Sequence, residues 1–180
     1  MNMNRRAAVQ RISLLMGGIA LSGPVVSGIL GEKIHFGDSV NVTPQQEKLL
    51  AELADVIIPT TDTPGAKAAG AEQFIIRVMR DCHPMDEQKA FYASLDQFGK
   101  DSKAAYGKNF VALGNDQKVA MVKKLIETDR AFFKQMKSYT AAGYFNSEIG
   151  ATQALEYVEV PGRLDACIPS QPGQKAWAIG

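Results

Sequence analysis

Apolar residues recur every three or four positions along much of the chain, which is the spacing that places them on one face of an α-helix. The first such stripe consists of Leu49, Leu50, Leu53, Ala54, Ile57 and Ile58. Thr43 is suited to cap this helix, because Pro44 follows at the first helical position and Gln46 can reach back as in a capping box. The pattern predicts a helix that starts at Pro44 and stops before Pro59.

Four further helices are predicted by the same spacing. Their apolar stripes comprise Phe74, Ile75, Val78, Met79 and Cys82; Phe91, Leu95 and Phe98; Val119, Val122, Leu125 and Ile126; and Phe132, Phe133, Met136 and Tyr139. Pro84 starts the third helix, and Gly107 stops it. Asn115 is the expected N-cap of the fourth helix, and Gly143 is the expected C-cap of the fifth. The best β-like run, residues 157 to 160, is short, so the chain is expected to be all-α, a small helical bundle of about five helices.

A loop rich in threonine, proline and glycine connects the first two predicted helices, over residues 59 to 70. Asp62 and the threonine hydroxyls can bond nearby backbone groups, and Pro64-Gly65 favours a turn. The composition fits either a binding loop or an ordinary connection between helices.

The stretch from Gly143 to Pro169 follows the last predicted helix and breaks its pattern. Its 27 residues carry Tyr144, Phe145 and Tyr157 among glycines and prolines, which disfavour regular structure. A segment this long and irregular in a small domain is usually functional or docked against something. We interpret it as a long irregular C-terminal docking arm. A tail wrapped on the chain's own helices fits the same spacing.

The first thirty residues carry the features of an export signal. Arg5 and Arg6 precede a stretch, residues 12 to 30, that has no charged side chain. A basic head and an apolar middle are typical of export signals, and paired arginines in this position resemble the twin-arginine signal. Glycines, serines and Pro24 make the stretch weakly hydrophobic, which disfavours a permanent membrane helix. An ordinary secretory signal and an uncleaved anchor remain as alternatives.

The composition fits one soluble domain preceded by this leader. The 180 residues include 46% hydrophobic and 22% charged side chains, which leaves no room for a separate cofactor domain. Arg5, Arg6 and Arg11 lie in the leader, so the remainder carries 17 basic against 19 acidic side chains. A slightly acidic body argues against nucleic-acid binding. The expected organisation is an export signal in residues 1–30, a linker in 31–42, and a helical accessory domain in 43–180 whose arm starts at about 143.

Residues able to carry catalysis are sparse. The histidines are His35 and His83, and His83 directly follows Cys82. Adjacent residues point in different directions on a helix, so thiol catalysis by this pair is disfavoured. The chain has no dinucleotide-binding or haem-attachment motif and too few cysteines for an iron–sulfur cluster. The arm is acidic at Glu148, Glu156, Glu159 and Asp165, in a spacing that matches no calcium loop. We therefore predict no catalytic, cofactor-binding or metal-binding residue in this chain.

Cys82 and Cys167 are the two cysteines of the chain. Export would carry them into an oxidising compartment, where two thiols commonly pair. A disulfide between them would tie the arm to the second helix and, from the loop length, contribute up to about 4 kcal/mol to the free energy of unfolding. The alternatives are free buried thiols and a bond to another chain.

Taken together, the leader, the first helix with its loop, and the arm resemble the gluconate 2-dehydrogenase subunit 3 family. The resemblance extends over about residues 43 to 170. Its most specific parts are the run ADVIIPTTDTPGA, the order Gly-Tyr-Phe…Ser-Glu…Gly, and the later Pro-Gly-Arg…Cys-Ile-Pro. The resemblance implies a non-catalytic small subunit of a periplasmic dehydrogenase. It also implies a large FAD-containing subunit of the glucose–methanol–choline type and a c-type cytochrome, with haem c, that accepts the electrons.

The resemblance further implies a role in export and maturation. The large subunit would have no signal of its own and would pass through the twin-arginine translocase as a folded passenger of this chain. The complex would then lie in the periplasm at the inner membrane. The resemblance implies no catalytic residue, and gluconate, other aldonates, free sugars and glycosides all remain open as the substrate.

Our leading interpretation is therefore a binding and export subunit. Aromatic and arginine side chains dominate interface energetics. The expected partner contacts are accordingly Tyr144, Phe145, Tyr157, Arg163 and Trp177. Two other interpretations remain: a stand-alone periplasmic enzyme or metal-binding protein that uses the acidic arm, and a membrane-anchored structural protein held by residues 12 to 30.

Overall fold

The first helix forms where its capping sequence predicts it. In the computed structural model, which describes residues 39–160, 162, 169 and 172–179, helix α1 spans Pro44–Ile57. The Gln46 N–H donates to the Thr43 hydroxyl at 3.2 Å, and the Thr43 N–H donates to the Gln46 side-chain oxygen at 3.0 Å. Both halves of the capping box are in place, so the predicted start is confirmed.

Four more α-helices and two short strands follow in the described residues. The elements are α2 (Ala71–Cys82), α3 (Met85–Tyr106), a 3₁₀ turn (Phe110–Ala112), α4 (Asn115–Thr128), α5 (Arg130–Phe145), a π-helical turn (Gly150–Ala154), β1 (Glu156–Val158) and β2 (Trp177–Ile179). Gly107 closes α3 with φ of 67°, in the left-handed region that favours glycine. The predicted small all-α bundle of about five helices is confirmed, whereas the arm that was expected to be irregular contains the π-helical turn and both strands.

The core is built around α1, which contacts each of the other four α-helices. Its deepest side chains have no exposed surface; they are Leu50, Leu53, Ile75, Met79, Leu95 and Met136. These residues come from α1, α2, α3 and α5, so the apolar stripes of these four helices meet in one cluster. Burying such side chains stabilises the fold by about 1.5 to 3 kcal/mol each relative to leaving them exposed.

Glu52 of α1 is bound by two lysines from other parts of the chain. Lys67 in the 59–70 loop donates to its carboxylate at 2.6 Å, and Lys118 of α4 donates at 2.5 Å. Burial tends to raise the pKa of Glu52, but the hydrogen bonds from Lys118 and Lys67 outweigh it and hold the pKa below the ordinary value of 4.5. The loop and α4 are thereby held to the same residue of α1.

Two predicted helix boundaries are wrong. Asn115 is the first residue of α4, and Gly114 before it occupies the N-cap position. Helix α5 continues through Gly143 to its last residue, Phe145, and Asn146 is its C-cap. The C-cap therefore lies three residues later than predicted. Both errors concern residue types that suit a cap but lie inside a helix here.

The predicted apolar stripe of α4 is only partly buried. Met121, Val122 and Leu125 are buried, whereas Val119 and Ile126 are exposed. Helix α4 packs on α1 and α5. Contact on that side covers only the α4 positions that face the two helices, so a wider apolar stripe leaves its margins in solvent.

The arm contains a pair of strands that run parallel. Glu156, Tyr157 and Val158 of β1 pair in register with Trp177, Ala178 and Ile179 of β2. The β-like run 157–160 overlaps β1, but local sequence does not indicate its distant partner.

The predicted export signal lies outside the described residues, as do Arg5, Arg6 and residues 31–38 of the predicted linker. Residues 39–42 of that linker are described: Val40 and Val42 pack against the core, and the Val40 N–H donates to the Gln88 side-chain oxygen at 3.0 Å. Among the helices that the structure describes, none is long and apolar enough to cross a membrane.

Candidate functional site

The end of α5 is bound to the loop that follows α1. Tyr144 is only 2% exposed, and its hydroxyl donates to the Pro64 carbonyl at 2.9 Å. The hydroxyl oxygen also lies 3.2 Å from the Thr63 Oγ1. Because the tyrosine proton is used on Pro64, Thr63 acts as the donor of the second bond. Residues 59 to 70 therefore support the point at which the arm leaves the bundle, and they serve as a structural connection.

The Gly-Tyr-Phe…Ser…Gly motif shapes this exit. Ser147 Oγ donates to the Tyr144 carbonyl at 2.6 Å and accepts from the Gly150 N–H at 3.0 Å. Gly143 packs directly on Phe74, since a Cβ at position 143 would lie 3.0 Å from the phenylalanine ring. The two glycines and the serine permit a tight return of the chain over the end of α5. The motif that indicated docking is in the first place a structural joint.

Apolar side chains are exposed at the last residue of α5 and along the arm that follows it. We define the arm surface as Phe145, Tyr157, Val160, Trp177 and Ile179, all of which are exposed. Phe145 stands edge-on to the buried Tyr144, with ring centroids 5.2 Å apart. The π-helical turn contacts both α5 and β1, and β1 pairs with β2. The arm surface is thus connected to the bundle through ordered elements.

The expected contact residues fall into three groups. Phe145, Tyr157 and Trp177 belong to the arm surface, so their contact with a partner stays a prediction. Tyr144 is buried in the core, because its hydroxyl binds the 59–70 loop, and we remove it from the expected contacts. Arg163 lies outside the described residues.

The predicted disulfide also stays a prediction. Cys82 is the last residue of α2 and is exposed there. Cys167 lies outside the described residues, as does Asp165 of the acidic arm.

His83 connects three helices. Its Nδ1 lies 2.6 Å from the Glu87 carboxylate of α3, and its Nε2 lies 2.6 Å from the Tyr139 hydroxyl of α5. The imidazole and phenol rings meet edge-on at 5.7 Å. Both ring nitrogens are therefore engaged by neighbouring side chains. Since His83 follows α2 directly, this arrangement fixes the α2–α3 junction on α5.

The acidic side chains Glu148, Glu156 and Glu159 are exposed. Among the described residues, no group of three or more His, Cys, Asp or Glu side chains is placed to hold a metal ion. These exposed carboxylates place negative charge on the solvent-facing side of the arm.

A groove of about 490 Å³ lies between the start of α1 and the end of α3. Leu49, Phe110 and Val111 supply its apolar lining, and Lys48, Lys100 and Lys103 supply positive charge. Its lining includes no histidine or cysteine, and its one carboxylate, Asp96, accepts from the Gln46 amide at 3.0 Å.

Exposed apolar and aromatic side chains on ordered elements are common on surfaces that contact other proteins. The sequence model of the family described as gluconate 2-dehydrogenase subunit 3 matches residues 44–162. The match covers more than half of the chain, and the chain belongs to the gluconate 2-dehydrogenase subunit 3 family. The family resemblance read from the sequence is confirmed, and it indicates a small subunit of a gluconate 2-dehydrogenase-type complex. No curated protein and no solved structure matches the chain.

Proposed function

We propose that this chain is the non-catalytic small subunit of a periplasmic FAD-dependent dehydrogenase that oxidises a sugar, an aldonate or a glucoside. The observation that carries the proposal is the family match over residues 44–162. In the proposed complex, a large subunit of the glucose–methanol–choline type holds FAD and performs the oxidation. A c-type cytochrome then takes the electrons.

The arm surface supports the binding part of this proposal. Exposed apolar and aromatic side chains on ordered elements are typical of protein–protein contacts, because their burial releases water from a large apolar area. Phe145 ends α5 and Trp177 lies in β2, so a partner that covers both would hold the arm against the bundle. Binding would stabilise the large subunit, since any partner that binds only the folded state adds to its apparent stability.

The leader supports the export part. Arg5 and Arg6 followed by a mildly apolar run resemble a twin-arginine signal. That route carries folded proteins, so a large subunit without a signal could be translocated with FAD already bound. In this proposal one chain supplies the export signal and the docking surface, while another supplies the redox chemistry.

Binding is tested by co-expressing the tagged chain with an FAD-binding dehydrogenase of the glucose–methanol–choline type from the same organism. The wild-type chain is expected to retain the flavoprotein on affinity resin, with the flavin absorption spectrum in the eluate. Phe145→Ala combined with Tyr157→Ala should reduce this retention strongly. Val119→Ala combined with Ile126→Ala is the matched control, because those residues are exposed on α4, away from the arm. Absence of flavoprotein with the wild-type chain would refute the proposed function.

Export is tested by changing Arg5 and Arg6 together to lysine in cells that carry both genes. Dehydrogenase activity in the periplasmic fraction should be lost while activity in the cytoplasmic fraction rises. Arg11→Lys is the control, since it alters a leader arginine outside the pair. Unchanged periplasmic activity in the double lysine variant would contradict the passenger model.

A further inference from the structure

The residues just before the capped start of α1 lie against the bundle. Val40 and Val42 pack on the hydrophobic core, and Asn41 between them is exposed. This alternation is that of an extended segment with one face on the protein. One compact unit of the chain begins at Ser39 and includes these residues. We call residues 39–42 the strap.

A main-chain hydrogen bond holds the strap to α3. The Val40 N–H donates to the Gln88 side-chain oxygen at 3.0 Å. Gln88 is only 2% exposed, and its amide nitrogen donates to the carbonyls of His83 at 2.9 Å and Arg80 at 3.4 Å. Both ends of this buried amide are therefore engaged. The strap is thus fixed to the same α2–α3 junction that the His83 ring binds to α5.

The bundle depends on the strap for contacts that no bond within α1 replaces. Removal of Val40 would leave the buried Gln88 oxygen without its donor, and an unsatisfied buried acceptor is destabilising. Removal of Val40 and Val42 would also return the apolar surface under them to water. A chain cut within the strap would therefore be less stable than one that keeps it.

A chain that begins directly after the strap has a further disadvantage at Thr43. Thr43 is the N-cap of α1, and its main-chain N–H donates to the Gln46 side-chain oxygen at 3.0 Å. Cleavage before Thr43 would turn this group into a charged amino terminus at the positive end of the helix dipole. Because the dipole disfavours a cation there, such a cut would weaken the start of α1.

We propose that the export leader is removed by hydrolysis of a peptide bond N-terminal to Ser39, so that the mature chain keeps the strap. The proposal rests on the export part of the proposed function and adds where processing stops. One water molecule is consumed as the C–N bond breaks, which gives a carboxylate on the leader and an amino group on the mature chain. The catalyst is a leader peptidase.

The strap is protected from this peptidase because its backbone is docked. Proteolysis concentrates where backbone is neither buried nor hydrogen-bonded, and a docked segment must open before it is cut. Small residues that suit removal of a leader occur before the strap, at Ser22-Gly23 and Ser27-Gly28. The folded bundle therefore sets the C-terminal limit of the processing site.

The N-terminus of the wild-type chain purified from the periplasmic fraction is determined by Edman sequencing and intact mass. We expect it to lie no later than Ser39. An N-terminus beyond Ser39, or a chain that still carries residues 12 to 30, would overturn the inference and leave the binding part of the proposed function standing. A chain that never reaches the periplasm would overturn the export part as well.

Protection of the strap is measured separately with thermolysin, which cuts before bulky apolar residues such as Val42. Gln88→Met removes the acceptor for the Val40 N–H, and Gln97→Met is the matched control, since Gln97 is exposed on the same helix. We expect cleavage before Val42 to be at least about fivefold faster in Gln88→Met than in the control, as the loss of a buried hydrogen bond requires.

Equal cleavage rates in the two variants, or a wild-type strap that is cut as fast as in Gln88→Met, would contradict the docking of the strap and overturn the inference. The wild-type N-terminus is determined without any substitution, and it decides the inference if Gln88→Met does not fold.

Discussion

The carbonyl oxygen of Tyr144 occupies the space in which position 150 would place a Cβ atom: the two would be 1.9 Å apart. A backbone atom cannot give way as a flexible side chain can. Gly150→Ala must therefore open the joint between α5 and the π-helical turn. We expect the free energy of unfolding to fall by about 3 kcal/mol or more, measured by urea denaturation.

Gly162→Ala is the matched control for this prediction, because a Cβ at position 162 would meet no atom within 4 Å. Its free energy of unfolding should stay within about 0.5 kcal/mol of the wild type. A Gly150→Ala variant as stable as the control would show that the joint is looser than described.

Removal of the buried Tyr144 hydroxyl should also destabilise the chain. Tyr144→Phe leaves the Pro64 carbonyl and the Thr63 hydroxyl without their partner. An expected loss of about 1 to 3 kcal/mol follows from leaving buried polar groups unsatisfied. Tyr157→Phe removes the same atom from an exposed ring and should change the free energy of unfolding little. Equal effects of the two substitutions would contradict the assigned role of Tyr144.

At Thr140 we predict a substitution that raises the free energy of unfolding. Its side chain has no exposed surface, and its hydroxyl has no hydrogen-bond partner among the described residues. Thr140→Val keeps the shape and removes the unsatisfied group, so we expect the free energy of unfolding to rise by about 1 kcal/mol. Thr140→Ser retains the hydroxyl, removes a buried methyl group and should lower stability. Thermal denaturation should therefore give the highest midpoint for Thr140→Val, an intermediate one for the wild type and the lowest for Thr140→Ser.

The ion pairs of Glu52 predict a dependence of stability on pH. Its pKa in the folded chain lies below the ordinary value of 4.5, so the stabilisation is fully present above 4.5 and is lost as the pH falls through the lowered value. Glu52→Gln should cost about 1 to 2 kcal/mol at pH 7, because both lysines lose a charged acceptor. The difference from wild type should shrink as acid is added. Glu127→Gln, at an exposed site on α4, is the control.

Glu72 should show the reverse dependence. Burial raises its pKa above 4.5, with a further contribution from the charge of Glu47, and Oε2 has no hydrogen-bond partner among the described residues. Ionisation is thus harder in the folded chain, and wild-type stability should fall as the pH rises from 4.5 through the raised value. Glu72→Gln cannot ionise, so its stability relative to wild type should increase over that range. A relative stability that is constant between pH 4 and pH 8 would contradict this prediction.

Much of the bundle could be predicted because its signals are local. Thr43, Pro44 and Gln46 lie within four residues of one another and determine the start of α1 by themselves. The stripe of Phe91, Leu95 and Phe98 likewise depends only on helical spacing, and all three residues are buried.

The predictions from sequence are wrong where contacts between residues that are distant in the sequence determine the structure. Glycine after an apolar stripe commonly ends a helix, but Gly143 lies inside α5, where a Cβ would come within 3.0 Å of the Phe74 side chain of α2. Tyr144, whose aromatic character alone indicated a surface role, is likewise buried next to a remote element, the 59–70 loop that its hydroxyl binds. The pairing of β1 with β2 is equally non-local, so an aromatic run could suggest a strand but could not identify its neighbour.

The parallel pairing of β1 with β2 also imposes an order on synthesis. The five α-helices are complete once residue 145 has been made, but β1 has no neighbour until Trp177 to Ile179 have left the ribosome. A nascent chain interrupted between these points would carry a formed helical bundle and an unpaired β1. Any partner that recognises the paired strands would therefore bind only chains whose synthesis has reached Ile179.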